Sequence, residues 1–397
     1  MINVGPISRS MGGVGIAAPQ DAISAVFANP AAMCFGPYCP STEVDFAGTL
    51  FMPDVSAKVS GPGVGGTISA NSDDQVYAIP AFGLSVPITE GLAPPDWRFG
   101  LAAFGVSGLG VDYRDTDLDQ PGFFDFPDPF PDAPLIAGEF TQLQIMRFAP
   151  SIAYQPNRWL SLGLAFHIDY SNLDLRDGSR WDYGWGAQVG LIAKPTDNIS
   201  LGLNYTSPRP VDHKNVRDFD GDGSLDDLRL DSPQEVGLGI ACQISNFLIE
   251  ANTKWINWAD ADGYEDFDWD DQYVFAIGAQ FEPIPKLFLR AGYNYAKNPV
   301  EENNGFDGTS FTSVQGTTLP RYFFETFRVI GFPAVVEHHL TLGIGYEFSP
   351  RFALHAGYVH GFENTIKERG TDITGQPVTL ESTLEEDTFD FGLTFRF

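Results

Sequence analysis

The feature that most constrains this chain is a two-residue alternation that runs from about residue 42 to the C-terminus. It is clearest in the last segment. Phe389, Phe391, Leu393, Phe395 and Phe397 hold one parity, and Thr388, Asp390, Gly392, Thr394 and Arg396 hold the other. A period of two sends successive side chains to opposite faces of a strand, so each such segment has an oily and a polar face. In a water-soluble sandwich the oily face would meet a core. In a membrane barrel it would meet hydrocarbon, with the polar face lining a lumen.

Two features favour the barrel. The polar parity is rich in Gly, Ser, Thr, Asn and Gln and carries few charges. Turns also sort by length: short at 156–158, 196–198, 245–246, 283–286 and 349–351, long at 113–139, 214–231, 259–270, 299–335 and 368–381. Outer-membrane barrels have short periplasmic turns and long outer loops. Strands are expected to begin near 42, 75, 97, 140, 160, 184, 199, 233, 247, 272, 287, 337, 352 and 385. The expected fold is all-β: a membrane-spanning, antiparallel, up-and-down barrel of about 14 strands over 42–397. An even count puts both barrel ends and every short turn on the periplasmic side, and closure removes exposed sheet edges.

Residues 1–41 do not alternate. Their core, 8–35, is small, Gly/Ala-rich and lightly charged, and too short and polar to span a bilayer as a helix. It reads as a hatch with short helices inside the lumen, or as an N-terminal arm packed on a β domain. The chain starts at Met1 without a basic or apolar leader, so a secretory signal is either absent or already removed.

Composition narrows the function. Lys plus Arg number 23 against 52 Asp plus Glu, a net charge of −29, which argues against nucleic acid. With 33 Phe and 14 Tyr the chain is too aromatic for a disordered acidic polymer. The mean hydropathy of −0.10 is what alternating strands average to. Acidic residues gather at 112–132, 218–231, 260–271 and 381–387, an outer rim that would need divalent cations to face lipopolysaccharide phosphates. Cys34 and Cys39 bracket a four-residue segment that can close as a disulfide loop or stay open. Cys242 shares the apolar parity of Val236, Leu238, Ile240 and Ile244 and is expected to face lipid.

Several motifs resemble the FadL family of outer-membrane channels for hydrophobic compounds. They are Asn29-Pro30-Ala31, Leu203-Asn204-Tyr205-Thr206-Ser207-Pro208, residues 233–240 followed by Trp255-Ile256-Asn257-Trp258, Leu289-Arg290-Ala291-Gly292-Tyr293, the segment 339–346, and the terminal Phe397. The resemblance implies a monomeric fourteen-stranded barrel with an N-terminal hatch containing Asn29, Pro30 and Ala31. It also implies lateral diffusion, in which a kink in the third strand opens the wall and the ligand leaves into the bilayer. Gly105, Ser107, Gly108 and Gly110 of that strand are the candidate kink, with close packing of a small-residue lumen as the alternative.

Inward parity selects Arg147, Arg290, His167, His355 and Glu347 as lumen groups, with Arg147 and Arg290 the preferred partners for a ligand carboxylate. Such groups can equally satisfy one another. The apolar part of the pocket is expected from Phe51, Ile79, Phe104, Val106 and Phe288, and from Ile2, Val4, Met11, Ile16 and Phe27 ahead of the barrel. Phe123, Phe124, Phe126, Phe323 and Phe324 in the loops suggest a capture groove, or packing that holds long loops in shape. Asp218, Asp220 and Asp222, with Asp226 nearby, match the first half of a calcium loop, but Arg229 stands where a bidentate Glu is expected. The loop is therefore expected either to bind Ca²⁺ or to be a flexible acidic loop without metal, and no cofactor is required. There is no G-x-S-x-G, HExxH or phosphate loop, so the chain does not read as an enzyme. The expected function is passive uptake of a fatty acid or aromatic hydrocarbon. A structural or adhesive barrel is the alternative.

Overall fold

The computed structural model describes residues 2–36, 41–73, 76–88, 96–125 and 132–397, except the side chains of Ser107 and Leu109. The first strands are β1 (Glu43–Gly61), β2 (Gly66–Asn71), β3 (Tyr77–Pro87), β4 (Asp96–Asp112), β5 (Phe140–Asn157), β6 (Leu160–Asp174), β7 (Arg180–Thr196) and β8 (Ile199–Thr206). They continue as β9 (Asp212–Arg217), β10 (Asp226–Arg229), β11 (Glu235–Ile244), β12 (Phe247–Ile256), β13 (Gln272–Ile284), β14 (Leu287–Ala296), β15 (Phe311–Val314) and β16 (Thr317–Pro320). The last are β17 (His338–Ser349), β18 (Phe352–Thr371) and β19 (Pro377–Arg396).

Fourteen of these form one closed antiparallel wall. Each pairs with its neighbours in chain order, and β19 returns to β1 in a register from Glu43↔Arg396 to Ser60↔Thr379. β2 folds back on the outer half of β1. β9 with β10, and β15 with β16, are small hairpins in the outer loops.

The wall is apolar outside and polar inside. Phe391 is 56% exposed while Asp390 beside it is fully buried. Phe46, Phe148, Leu164, Leu203, Ile240, Phe275 and Leu342 are likewise exposed, whereas Glu43, Asp45, Arg147, Asp169, Glu250 and Arg290 are buried. A soluble protein does the reverse with its charged groups, so the outward face is the one that meets hydrocarbon. Aromatic rings mark both edges of the apolar band. Trp97 stacks on Tyr154, and Phe247 on Phe281, both at 4.3 Å, at the short-turn end. Trp181, Tyr183, Tyr205 and Tyr273 face outward toward the long-loop end. Cys242 lies on the outward parity, between the exposed Ile240 and Ile244.

The outer ends of some strands run further than the alternation suggests. β7 begins at Arg180 rather than near 184, and β19 at Pro377 rather than near 385, so most of 368–381 is a hairpin, not a loop. The reason is a swap of faces above the membrane. There Val378, Leu380 and Leu384 point inward and are buried, while Thr379, Glu381 and Thr383 are half-buried on the outside.

Residues 2–36 lie almost wholly buried within the wall. They form α1 (Pro6–Arg9), α2 (Ala22–Ala28) and a 3-10 turn over Pro30–Cys34. Asp21 caps α2 by accepting from the Ser24 amide at 2.7 Å. In the longest outer loop, α3 (Arg321–Thr326) runs into a π-helical turn at Phe327–Gly331.

Candidate functional site

A belt of inward glycines makes room for the N-terminal segment. A Cβ added at Gly83, Gly163, Gly202, Gly278 or Gly292 would strike backbone atoms of Ile23, Ala31, Ile16, Met11 or Gly12 respectively. Gly343 and Gly392 similarly face Ser10 and Pro6. Gly12 answers in kind: its φ is +73°, and its Cα packs directly on the backbone of Tyr293.

Polar side chains of the wall then pin this segment by its main chain. Glu250 Oε1 accepts from the Gly15 and Ala17 amides at 3.1 and 2.8 Å. The Ala22 amide donates to Asp45 at 2.8 Å, and the Gly12 amide to Thr341 at 2.8 Å. Arg9 pairs with Asp390 at 3.0 Å. Asn29 Nδ2 donates to Ile16 O at 2.8 Å and to Leu191 O and Leu203 O of the wall at 3.2 and 3.3 Å, while its Oδ1 accepts from the Ala31 amide at 3.1 Å. Pro30 and Ala31 follow as the start of the 3-10 turn, buried against Gly190 and Gly163. Ile2, Val4, Met11 and Ile16 are buried in the same segment. Cys39 lies outside the described residues, and with it the Cys34–Cys39 loop.

On the outer side of the belt the lumen is lined by the expected apolar groups of β1, β3 and β4. Phe104 is fully buried and meets Phe27 edge to face at 5.0 Å. Val106 is buried nearby, and Phe51 and Ile79 are half-buried on the inward parity. Arg147 is tied to Asp169 by two bonds of 2.6 and 2.7 Å, and Arg209 joins the same carboxylate at 3.1 Å. His167 is buried beside this group. Arg290 is on the opposite side of the barrel and nearer the short turns than Gly292. It donates to Gln280 at 2.7 Å and sits 5.5 Å from the Phe288 ring, with His355 close by. The two arginines are therefore not brought to one place. Glu347 is engaged by Arg396 at 2.7 Å.

Lys254 was missed. It is inward on β12 and lies 5.7 Å from the Phe27 ring, and no carboxylate among the described residues pairs with it. Parity could have found it, since Leu248, Glu250, Asn252 and Ile256 share its face. Arg209 could not be found so: it enters from a loop and fills the space left by Gly184 and Gly186.

The seam between β3 and β4 is interrupted over the outer part of the wall. β3 and β4 pair only from Pro87↔Arg98 to Ala81↔Phe104. Beyond this, β4 pairs with β5 alone, and a bulge between Gly105 and Ser107 shifts its register. The inward parity passes from even residues up to Val106 to odd residues at Val111. Pro80, with no N–H to donate, sits at the end of the broken ladder. The end of β4 is held instead by the residues just after β2: the Asp73 amide donates to Asp112 O and the Asp112 amide to Ser72 Oγ, both at 2.9 Å. Gly105, Gly108 and Gly110 border the seam, and the Ser107 side chain lies outside the description.

Over the outer mouth the loops form an apolar cap. Phe124 meets Tyr322 at 5.7 Å, and Tyr322 Oη donates to Leu135 O at 2.8 Å, so the two Phe-rich segments pack together. Phe126 lies outside the described residues. Phe219, Phe267, Phe324, Phe327, Val314 and Leu319 line an apolar crevice there. Beneath it Arg328, fully buried, pairs with Glu325 at 2.8 Å and with Glu368. Asp218, Asp220 and Asp222 hold ligand atoms within 4.8 Å of one another. Their carboxylates accept from amides of their own loop, such as Gly221 to Asp218 at 2.7 Å. Asp226 stands apart, accepting from Phe219 N and Thr317 at 2.9 and 3.1 Å.

No family model matches the chain, and no curated protein matches it in sequence. Solved structures do match, over all of this chain and 99% of each neighbour. A Pseudomonas aeruginosa FadL homologue superposes with a TM-score of 0.72 at 15% identity. The fold is FadL-like. The Pseudomonas putida toluene transporter TodX follows at 0.69 and 19%, and the Ralstonia pickettii toluene transporter TbuX at 0.66 and 16%. At such identities the likeness fixes the FadL-like architecture and leaves ligand and route to be argued from this chain's own residues.

Proposed function

We propose that this protein is an outer-membrane channel for passive uptake of hydrophobic small molecules, either long-chain fatty acids or aromatic hydrocarbons. The observation that carries this reading is a lumen filled by its own N-terminal segment inside a wall whose hydrogen-bonded ladder is broken at the β3–β4 seam. A water-filled pore for polar solutes has no use for either. The toluene transporters and the FadL homologue of like fold support the same reading.

The apolar crevice under the outer loops captures the ligand from the rim. Phe27, Phe104 and Lys254 then hold it beside the N-terminal segment, which acts as a hatch. Release is sideways at the β3–β4 seam into the bilayer. Energetics favour that direction: each CH₂ gains about 0.8 kcal/mol on leaving water, so release into the aqueous periplasm is uphill and release into lipid is not.

The test is uptake of labelled hexadecanoate and toluene by cells whose outer membrane carries the full chain, against cells without it. The expected result is faster uptake of at least one. Uptake equal to the control, with the barrel assembled, would leave a structural or adhesive role in its place.

A further inference from the structure

We propose that Ile79 and Tyr77 form a side-chain shutter over the unpaired seam between β3 and β4, so that these two side chains set the width of the sideways exit. The inference rests on the lateral route proposed above.

Past Ala81↔Phe104 no backbone ladder joins the two strands. What spans the gap is side chain. A Cβ at Gly105 would collide with Ile79 Cγ2, and one at Gly110 would lie 3.1 Å from Tyr77 Oη. Two side chains of β3 therefore reach across the seam and rest on two glycines of β4. Both are only half-buried, and Tyr77 also leans on Phe51 with ring centroids 6.2 Å apart. Glycine at 105 leaves room for Ile79, which any Cβ there would displace, and glycine at 110 gives the Tyr77 hydroxyl its close approach.

This arrangement separates opening from unfolding. Parting a paired antiparallel ladder breaks several backbone hydrogen bonds together. Moving Ile79 and Tyr77 needs only rotamer changes, which occur in picoseconds to nanoseconds for accessible side chains. A slim alkyl chain passes once Ile79 turns. A wide fused-ring hydrocarbon needs Tyr77 displaced as well. The shutter is thus a size filter on the ligand's cross-section.

The test uses full-length protein in intact cells, with heat-modifiable migration to confirm assembly. The Cβ of Ile79 lies 3.8 Å from the position of a Cβ at Gly105, which matches disulfide geometry. Oxidised Ile79→Cys/Gly105→Cys is expected to lose hexadecanoate uptake at least tenfold and to regain it on reduction, with each single variant unaffected by oxidant. Tyr77→Ala is expected to raise pyrene uptake relative to hexadecanoate at least threefold. A formed disulfide with unchanged uptake would refute the lateral route itself. A disulfide that blocks, with an unchanged pyrene ratio in Tyr77→Ala, would keep the route and overturn the shutter. Thiols that do not couple under oxidant would overturn it too.

Discussion

Asn29 illustrates how much one side chain settles in this protein. Its amide bridges Ile16 of the N-terminal segment to Leu191 and Leu203 of the wall, in a site without water access. Asn29→Ala leaves three carbonyls and one amide short of a partner, at a cost of about 1–3 kcal/mol for each group left buried and unsatisfied. The segment should loosen while the wall persists. Limited proteolysis in detergent should then cut within residues 2–36 but spare the barrel. Lys254 is the matching residue for ligand choice. Lys254→Met should weaken hexadecanoate binding about tenfold or more, the worth of a charge-assisted hydrogen bond, and leave toluene unchanged. Intrinsic fluorescence titration with both ligands reads the difference. In the outer loops, burial pushes His213 down to about 4, while the Leu228 backbone and Asp182 and Asp212 pull less strongly the other way. Its imidazole is held neutral beside Ser171 at 3.0 Å. Because the folded value is depressed, the opened loop binds more protons between pH about 6.5 and about 4. The order of the β9–β10 hairpin is therefore full above that window and is lost as pH falls through it. Hydrogen exchange over 212–229 should show faster opening at pH 4.5 than at pH 7, and His213→Gln should flatten the dependence.

At the scale of elements, the glycine belt and the N-terminal segment are one construction. Gly163→Val would drive a side chain into the Pro30–Ala31 backbone. The barrel should still assemble, as judged by heat-modifiable migration, but the segment should become protease-sensitive. The belt also shows what the sequence could and could not reveal. Period two located the wall, because inside the bilayer one parity must be oily: Phe389, Phe391 and Leu393 report it directly. The starts of β7 and β19 were placed late, because above the membrane Val378 and Leu380 turn the oily face inward and blur the pattern. The inward positions of Phe104, Arg147, His167 and Arg290 followed from parity alone. Their partners did not. Arg209, which shares the Asp169 carboxylate with Arg147, arrives on a loop with no period, and the glycines that seat Ile16 or Ala31 declare their use only once the segment is inside.

The whole molecule is a barrel that is oily outside and polar inside, holds its own N-terminal segment buried within the wall and has an interrupted ladder between β3 and β4. Each of these features alone has other uses. Together they suit a solute that prefers lipid to water at both ends of its path. The most direct measurement compares two probes in the same cells: uptake of labelled hexadecanoate or toluene, and uptake of a polar solute of similar mass such as a disaccharide. The account predicts that the protein accelerates at least one hydrophobic probe and leaves the disaccharide at the background rate. Accelerated disaccharide uptake with neither hydrophobic probe affected would contradict it.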